Sequence, residues 1–396
     1  MANHGSTDRR RFLGYAGGAL AAQAAQAQEA IRTAHIGVGV RGGSLLTQTL
    51  AQANVRVAAI CDIDATTRDK ALSAAARDSP RPLAEWRKVP DLTDVDAVFI
   101  ATPCDLHAEM AAACLEAGKH VYLEKPLGIT PEQVSRVVKA ARRAKGIFQI
   151  GQQLRYFPSM REAVAKIHAG EMIGKAYIVK AQRHSSRSRA SGQPPASAQE
   201  KARTDWYADV KRSGDLIVEN SVHNIDACNW IVNSRPVSAY GHGKRYFPQP
   251  MAPGKLMLDG YSVEWIYENE MHVDYSQIAF HPRHLKALPN GMWYVIFGEK
   301  GSIHLTHDSC EFYDLHGEQP PQDMLSESRK IMAERKARGI REPDTAIEDF
   351  LACIREKRKP FADITVAATA ALTAIMGREA IYRNGMVTWK ELGVTL

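Results

Sequence analysis

Short apolar runs alternate with amphipathic stretches over the first third of the chain. The runs that predict buried strands cover residues 34–36, 55–61, 95–101, 121–123 and 147–150. Between them, apolar residues recur at helical spacing and predict helices over 43–52, 66–78, 107–117 and 131–144. Alternation of strand and helix is typical of a parallel sheet with right-handed crossovers. We therefore predict an α/β domain over residues 32–151.

The pattern changes after Gly151, where longer β-like runs follow one another. They predict strands at 176–181, 237–241, 261–267, 271–278, 293–297 and 302–305. Helices are predicted at 159–169, 216–232, 345–357 and 366–382. Residues 184–204 are rich in Ser, Arg and Pro without periodicity, which predicts a long surface loop. We predict a second, α+β domain over 152–396, built on an open and mostly antiparallel sheet.

Composition narrows the class of protein. The chain has 396 residues, 45% hydrophobic and 24% charged, which is ordinary for a globular protein of two domains. The net charge of +7 is spread along the chain, so nucleic acid is not the expected partner, while an anionic cofactor is compatible. No apolar run reaches the roughly 18 residues of a membrane span. No His/Cys spacing typical of zinc occurs, so no metal is expected.

Residues 1–27 have the features of a signal peptide and not of a folded domain. The segment Arg9-Arg10-Arg11-Phe12-Leu13 fits a twin-arginine signal, and Ala25-Gln26-Ala27 offers small residues for cleavage before Gln28. The alternative is a disordered basic tail. The first interpretation predicts export in the folded state to the periplasm, a route that suits a protein carrying a cofactor.

A glycine-rich segment follows the first predicted strand. Gly37-Val38-Gly39-Val40-Arg41-Gly42 has the spacing that allows a tight turn, backbone approach to a pyrophosphate and close packing of the next helix. The second strand ends in Asp62, where a carboxylate that binds the ribose hydroxyls is expected. Such a carboxylate favours NAD over NADP, because it repels a 2′-phosphate. The alternative is that Asp62 caps the next helix, and Asp64 is able to share either role.

Two further strands end in polar residues that we expect at the edge of the sheet where ligands bind. Thr102-Pro103 follows one strand, and His107 then begins a helix, either as an ordinary first-turn residue or as part of the site. Glu124-Lys125-Pro126 follows the other strand, and the proline ends the ladder because it has no N–H to donate. Lys125 is therefore placed at the crevice, unless these residues form a surface turn.

The predicted helix over residues 216–232 carries the second group of candidate residues. Glu219, His223 and Asp226 have the spacing i, i+4 and i+7, which places them on one helical face. A carboxylate one turn from a histidine is able to orient the imidazole and raise its basicity, as a general base requires. A solvated polar stripe, or a buried polar network between helices, is the alternative.

Taken together, these motifs resemble the Gfo/Idh/MocA oxidoreductase family over about residues 32–396. The resemblance is carried by the glycine segment, Ala101-Thr102-Pro103 with His107, Glu124-Lys125-Pro126, Glu219-x-x-x-His223-x-x-Asp226, Gly298-Glu299-Lys300-Gly301-Ser302-Ile303 and Val387-Thr388-Trp389. It implies a Rossmann domain for the nicotinamide cofactor, followed by an open sheet that commonly forms the oligomer interface. Family members mostly oxidise a secondary hydroxyl of a sugar or cyclitol.

The resemblance also implies roles for individual residues. Lys125 would lie beside the substrate hydroxyl and the nicotinamide, and His223 would take the hydroxyl proton. Position 219 is usually Asp in the family, so Glu219 is expected either to take part in catalysis or to orient its neighbours. The remaining implied contacts are with cofactor for Thr102, Pro103, His107 and Glu124, and with substrate for Arg155, Trp206 and Asp226.

Three functions stay open at this point. The first is an NAD-dependent sugar or cyclitol dehydrogenase, with the cofactor held tightly if the enzyme is exported. The second is a glycoside-cleaving enzyme with catalytic NAD that works through a transient keto-sugar. The third is a non-catalytic sugar-binding protein that keeps the fold. Which sugar and which carbon are not encoded in any motif, and a homo-oligomer is expected for each.

Overall fold

The computed structural model of the chain describes residues 30–186, 205–247, 257–285, 288, 290–337, 339 and 344–396. The predicted signal peptide, residues 1–27, lies outside the described residues, as do residues 187–204 of the predicted long loop.

The first sheet has six parallel strands in the order β3-β2-β1-β4-β5-β6. Its strands are Ile31–Ile36 (β1), Val55–Cys61 (β2), Arg81–Leu83 (β3), Ala97–Ile100 (β4), His120–Leu123 (β5) and Phe148–Ile150 (β6). The helices between them are Val40–Leu50 (α1), Ala65–Ala74 (α2), His107–Glu116 (α3) and Pro131–Arg143 (α4). The central strands are apolar and fully buried, as strands covered by helices on both faces must be. The predicted Rossmann sheet is confirmed.

The second sheet has nine strands in the order β14-β13-β12-β11-β7-β10-β9-β8-β15. Its strands are Ala176–His184 (β7), Pro236–Lys244 (β8), Gly260–Tyr267 (β9), His272–Ile278 (β10), Gly291–Gly298 (β11), Gly301–Leu305 (β12), Cys310–Asp314 (β13), Gln322–Asp323 (β14) and Val387–Thr388 (β15). Only β7 and β10 pair in parallel, and the other pairs are antiparallel. The predicted open, mostly antiparallel sheet is confirmed.

The helices of the second half of the chain pack on this sheet, on one another or on the first domain. They are Pro158–His168 (α5), Val210–Ser213 (α6), Asp215–Glu219 (α7), Val222–Val232 (α8), Glu327–Ala337 (α9), Asp344–Glu356 (α10) and Ile364–Arg383 (α11). Within the described residues α11 is the one helix whose length and composition would allow a membrane span, and 67% of its apolar window is buried in the protein. That burial is what the core helix of a folded domain shows.

The predicted single helix over residues 216–232 is wrong. The structure has two helices, α7 and α8, separated at Asn220 and Ser221. Side chains of the second sheet bind this break: Gln277 donates to the Asn220 amide oxygen at 3.0 Å, and Tyr275 donates to the Ser221 hydroxyl at 2.8 Å. Because the helix is interrupted between them, Glu219 and His223 do not share a helical face.

The two halves of the chain pack together through α10. Phe350 of this helix is fully buried and meets Phe99 and Tyr122 of the first sheet edge-on, with ring centroids 5.5 and 5.7 Å apart. The backbone N–H of Ile150 donates to Ala362 at 2.9 Å. The carboxyl ends of the parallel strands therefore face the helices of the second domain.

Candidate active site

The glycine segment forms a cradle between β1 and α1. A Cβ on Gly42 would lie 1.8 Å from the Gly37 carbonyl oxygen, and Gly37 itself has a φ of +78°. Neither position accepts a side chain. At Gly39, by contrast, nothing lies within 4 Å, and no side chain caps the amino end of α1. The open N–H groups and the dipole of α1 thus face free space, which suits the pyrophosphate of a dinucleotide.

Asp62 lies next to this cradle and does not cap a helix. Its carboxylate accepts from the backbone N–H of Val38 and of Asp64, both at 2.9 Å. The cap of α2 is Asp64, which accepts from Thr67 at 2.7 Å.

Two large apolar side chains near the glycine segment are exposed. Ile63, between Asp62 and Asp64, is 90% exposed, which is unusual for a large apolar side chain. Together with Val40, which is 80% exposed, it borders the space beyond the glycines, so both are placed to be covered by a nucleotide.

His107 lies between the loops that follow β4 and β5 and contacts a backbone oxygen of each. Its Nδ1 lies 2.7 Å from the Pro126 carbonyl oxygen and its Nε2 lies 2.9 Å from that of Thr102. Burial lowers the pKa of His107, so the ring is neutral at pH 7 and donates to one of the two oxygens. His107 therefore positions the loop at Thr102-Pro103 against Lys125-Pro126, and it faces backbone oxygens rather than a cavity.

Glu124 forms an ion pair with Arg41 of the glycine segment. Its Oε1 accepts from Arg41 Nε at 2.7 Å and also lies 2.7 Å from Arg41 Nη2, and the Glu124 side chain is 6% exposed. Gln153 turns its amide oxygen toward the same guanidinium. A Cβ on Gly151 would lie 2.8 Å from Glu124, so β6 passes directly beside this pair. Glu124 thus holds the glycine segment against the neighbouring strands and is not the partner of Lys125.

Lys125 reaches across to the second domain. Its ammonium lies 2.7 Å from the Glu219 carboxylate and 2.5 Å from the Glu219 carbonyl oxygen. Burial acts to lower the pKa of Lys125, but the attraction of Glu219 outweighs it and the pKa is raised. Glu219 also hydrogen-bonds the Tyr207 hydroxyl, and despite burial its pKa is lowered, mainly by Lys125. At neutral pH both members of the pair are charged.

His223 stands at the start of α8, close to the same cleft and half-buried. Its Nδ1 lies 3.0 Å from the amide oxygen of Gln152. Burial lowers the pKa of His223 well below its usual value, and the positive charges of Lys125, Arg183 and Arg41 lower it further. The ring is therefore neutral, donates its proton to Gln152, and keeps the lone pair on Nε2. Gln152, and not Glu219, orients this histidine.

Arg155 and Asp226 bind each other. The guanidinium makes two bonds of 2.7 and 2.9 Å to the carboxylate, and the side chains are 9% and 1% exposed. Trp230 covers the guanidinium, 5.1 Å from ring centroid to Cζ. The pair lies one turn of α8 beyond His223.

Trp206 is half-buried, and its neighbour in sequence is Tyr207, whose hydroxyl hydrogen-bonds Glu219.

The structure thus brings Lys125, Glu219 and His223 toward one cleft, with the glycine cradle on its other side. Sequence reasoning missed Tyr207 and Arg183, and it assigned the orientation of His223 to the wrong side chain. Arg183 had a usable signal, because it is a charged residue at an inward position of β7, where Val179 and Ala181 are buried. Within the described residues no three His, Cys, Asp or Glu side chains group as a metal site would require.

Comparison with known proteins identifies the family of the chain. Two models of one family match the chain: the oxidoreductase family's NAD-binding Rossmann fold over residues 31–152 and its C-terminal alpha/beta domain over residues 167–388. Inositol 2-dehydrogenase 2 of Saccharopolyspora erythraea is 34% identical over 213 residues, covering 53% of this chain and 56% of that protein. A glycosyl hydrolase family 109 protein of Streptomyces niveus is 35% identical over 150 residues, covering 35% of this chain and 30% of that protein.

Solved structures with the same fold cover nearly all of the described chain. Levoglucosan dehydrogenase in complex with NADH and levoglucosan superposes with a TM-score of 0.74 at 18% identity, covering 91% of this chain and 99% of that one. Myo-inositol 2-dehydrogenase from Lactobacillus plantarum superposes with a TM-score of 0.70 at 19% identity, with the same shares. At these identities the likeness concerns the fold alone.

Proposed function

Since the chain belongs to the Gfo/Idh/MocA oxidoreductase family, we propose that it is an NAD-dependent dehydrogenase that oxidises a secondary hydroxyl of a sugar or cyclitol. The observation that carries the proposal is the meeting of a charged Lys125, held by Glu219 at 2.7 Å, with a neutral His223 beside the glycine cradle. A positive hydrogen-bond donor and a neutral base are the two groups that oxidation of an alcohol requires.

The roles of the residues follow from their protonation states. Nε2 of His223 takes the hydroxyl proton, because Gln152 holds the proton of the ring on Nδ1. The Lys125 ammonium donates to the same substrate oxygen and stabilises the negative charge that develops there, while Glu219 keeps the lysine protonated. A bound nicotinamide cofactor supplies the acceptor for the hydride that leaves the same carbon.

The cradle fits a dinucleotide, and Asp62 favours NAD over NADP within the proposal. The carboxylate stands at the end of β2 and is already held by two backbone N–H groups, which fixes its position. A ribose diol is able to donate to its remaining lone pairs, whereas a 2′-phosphate would meet like charge. Binding of NAD and of NADP, measured by quenching of tryptophan fluorescence, tests this preference.

The dehydrogenase is tested with Lys125→Ala and His223→Ala on a panel of sugars and cyclitols. We expect each substitution to lower kcat by about 100- to 10,000-fold, as loss of a general base or of a charged donor does. NAD binding should persist, since neither residue belongs to the glycine cradle. Lys139→Ala removes an exposed lysine of α4 and is the matched control. Full turnover by both variants on the true substrate contradicts the site.

A second candidate is a glycoside-cleaving enzyme with catalytic NAD. The match to the glycosyl hydrolase family 109 protein over 150 residues favours it. In that reaction the ring hydroxyl would lose its proton to a base and its carbon would give a hydride to the bound nicotinamide cofactor, which leaves a ketone. The ketone acidifies the neighbouring C–H, so the aglycone is able to leave by elimination. Water then adds to the double bond, and return of the hydride and a proton restores the alcohol. Release of aglycone from a nitrophenyl glycoside without net NADH identifies it. A non-catalytic sugar-binding protein would bind sugar with no turnover by either assay.

Two further parts of the proposal concern the whole protein. We propose homo-oligomers through the open face of the second sheet, where the exposed Ile266, Phe297 and Tyr313 lie in one cross-strand row. Light scattering of Ile266→Lys, expected to yield a smaller species, tests this.

We also propose export by the twin-arginine route, supported by Arg9 and Arg10. Retention in the cytoplasm when both are replaced by lysine tests it. Retention of the nicotinamide cofactor through gel filtration tests whether the cofactor is held tightly, as an exported dehydrogenase would need.

A further inference from the structure

Arg183 projects from β7 toward the start of α8, on the same face of the sheet as His223. It is half-buried, and its contacts within the described residues are weak. Nη1 lies 3.4 Å from the Asn224 amide oxygen and 3.3 Å from the Met292 sulfur. Asn224 is turned this way because its amide nitrogen donates to the Tyr294 hydroxyl at 2.9 Å. No described residue accepts from Nε or Nη2 of Arg183, so that edge of the guanidinium is available.

Within the part of the chain that the structure describes, Arg183 differs from the other cations of the cleft in having no carboxylate partner. The other three cations each meet a carboxylate oxygen at 2.7 Å: Arg41 with Glu124, Lys125 with Glu219, and Arg155 with Asp226. No described acidic side chain forms an ion pair with Arg183. A guanidinium stays charged at every accessible pH. Among the described residues, the cleft therefore holds one positive charge that has no ion-pair partner.

This charge acts on the proposed catalytic groups. After burial and Lys125, Arg183 is among the charges that lower the pKa of His223, and it contributes to the lowered pKa of Glu219. It also acts on Tyr207, the hydroxyl that bonds Glu219. Since Arg183 also contacts Asn224, the residue that follows His223 on α8, it lies beside the proposed catalytic groups.

We propose that Arg183 binds a carboxylate of the substrate, so that the site takes a sugar acid rather than a neutral sugar. The inference rests on the proposed function and names its substrate class. The Nε–Nη2 edge, from which no described residue accepts, has the geometry that binds both oxygens of a carboxylate. A single unpaired charge matches a monoanion, whereas a phosphate monoester carries about −1.5 to −2 at pH 7.

Equilibrium binding in the presence of NADH tests the inference without requiring turnover. The probes are D-glucuronate, D-galacturonate and D-gluconate, each compared with its neutral partner D-glucose, D-galactose or D-glucitol, and with glucose 6-phosphate. We expect at least one acid to bind about 10- to 100-fold more tightly than its neutral partner, with an affinity that falls as salt is added. Arg183→Gln should remove this preference and leave the affinity for the neutral sugar unchanged. Arg183→Lys should keep part of it.

Arg142→Gln removes an exposed arginine of α4 and serves as the control for net charge. The inference is wrong if no acid binds better than its partner, if Arg183→Gln weakens acid and neutral sugar equally, or if the phosphate ester is preferred. A distinct outcome separates it from the proposed function. If an acid binds through Arg183 but is neither oxidised nor cleaved, the binding role stands and the enzymatic proposal fails.

Discussion

Replacing Glu219 by glutamine should move the alkaline limit of activity to lower pH. The carboxylate lies 2.7 Å from the Lys125 ammonium, in a position where the two side chains are 12% and 15% exposed. Burial alone lowers the pKa of a lysine, and Glu219 is the main group that reverses this effect on Lys125. In Glu219→Gln the reversal is lost, so the lysine should lose its proton at a lower pH and with it the ability to support the alkoxide.

The size of the effect follows from the distance. At 2.7 Å and an effective dielectric constant of about 20, the attraction is about 6 kcal/mol, an upper limit because an amide oxygen still accepts from the ammonium. Opposite charges in contact change a pKa by about 1 to 3, equivalent to about 1.4 to 4 kcal/mol. We therefore expect the alkaline limb of the kcat/KM profile to move down by about 1 to 3 pH units.

Initial rates of NADH formation across pH measure this limb. In the unsubstituted protein the pKa of Lys125 is raised above its usual value, so the lysine should stay protonated to at least about pH 10. Activity should therefore not fall below about pH 10 through loss of the lysine proton. Glu219→Asp keeps the charge at a shorter reach and should give an intermediate profile. Glu348→Gln, on the exposed side of α10, is the control. An alkaline limb that stays in place while kcat falls would refute the reasoning.

Three further substitutions test other parts of the structure. Gln152→Leu removes the acceptor of the His223 proton. We expect kcat to fall about 10-fold, which corresponds to about 1.4 kcal/mol, with the affinity for NAD unchanged. A fall in NAD affinity alone would contradict this role of Gln152. Asp62→Ser should raise the affinity for NADP relative to NAD in fluorescence titrations, and an unchanged ratio would count against the carboxylate. Glu162→Gln should destabilise the fold by about 1.5 to 3 kcal/mol, because this carboxylate accepts from the amino end of α9. Hydrogen bonding lowers the pKa of Glu162 to about 2 despite burial, so the difference in unfolding free energy should be constant above about pH 5 and shrink as pH falls toward 2.

The parallel sheet and its loops were predictable, since strand length, helical spacing and glycine positions are local properties. Asp62, Lys125 and the segment Gly37–Gly42 stand where alternation placed them, at the carboxyl ends of strands. The strand Arg81–Leu83 was missed because it is short, polar and contains Pro82 at the edge of the sheet. Short edge strands have little apolar surface to bury, so periodicity does not reveal them.

The partners of the catalytic candidates were not predictable. Residues 216–232 have helical periodicity throughout, yet the helix is interrupted at Asn220 and Ser221, whose side chains bond Gln277 and Tyr275 of the second sheet. These bonds join residues more than fifty positions apart, and no local pattern contains them. As a result the spacing of Glu219 and His223 suggested a contact between the two, whereas the fold gives each a different partner. The tertiary structure here overrides local propensity.

The relation between Lys125 and Glu219 depends on a residue that contacts neither. Arg378 of α11 donates from Nη1 to the carbonyl oxygen of Ile129 at 2.9 Å and to that of Gly214 at 3.3 Å. Ile129 lies four positions after Lys125, and Gly214 directly precedes α7, which ends at Glu219. One guanidinium therefore ties the two backbone segments that carry the ion pair. Because each segment comes from a different domain, the geometry of the site is set where the domains join, and α11, buried along most of its length, holds that junction in place.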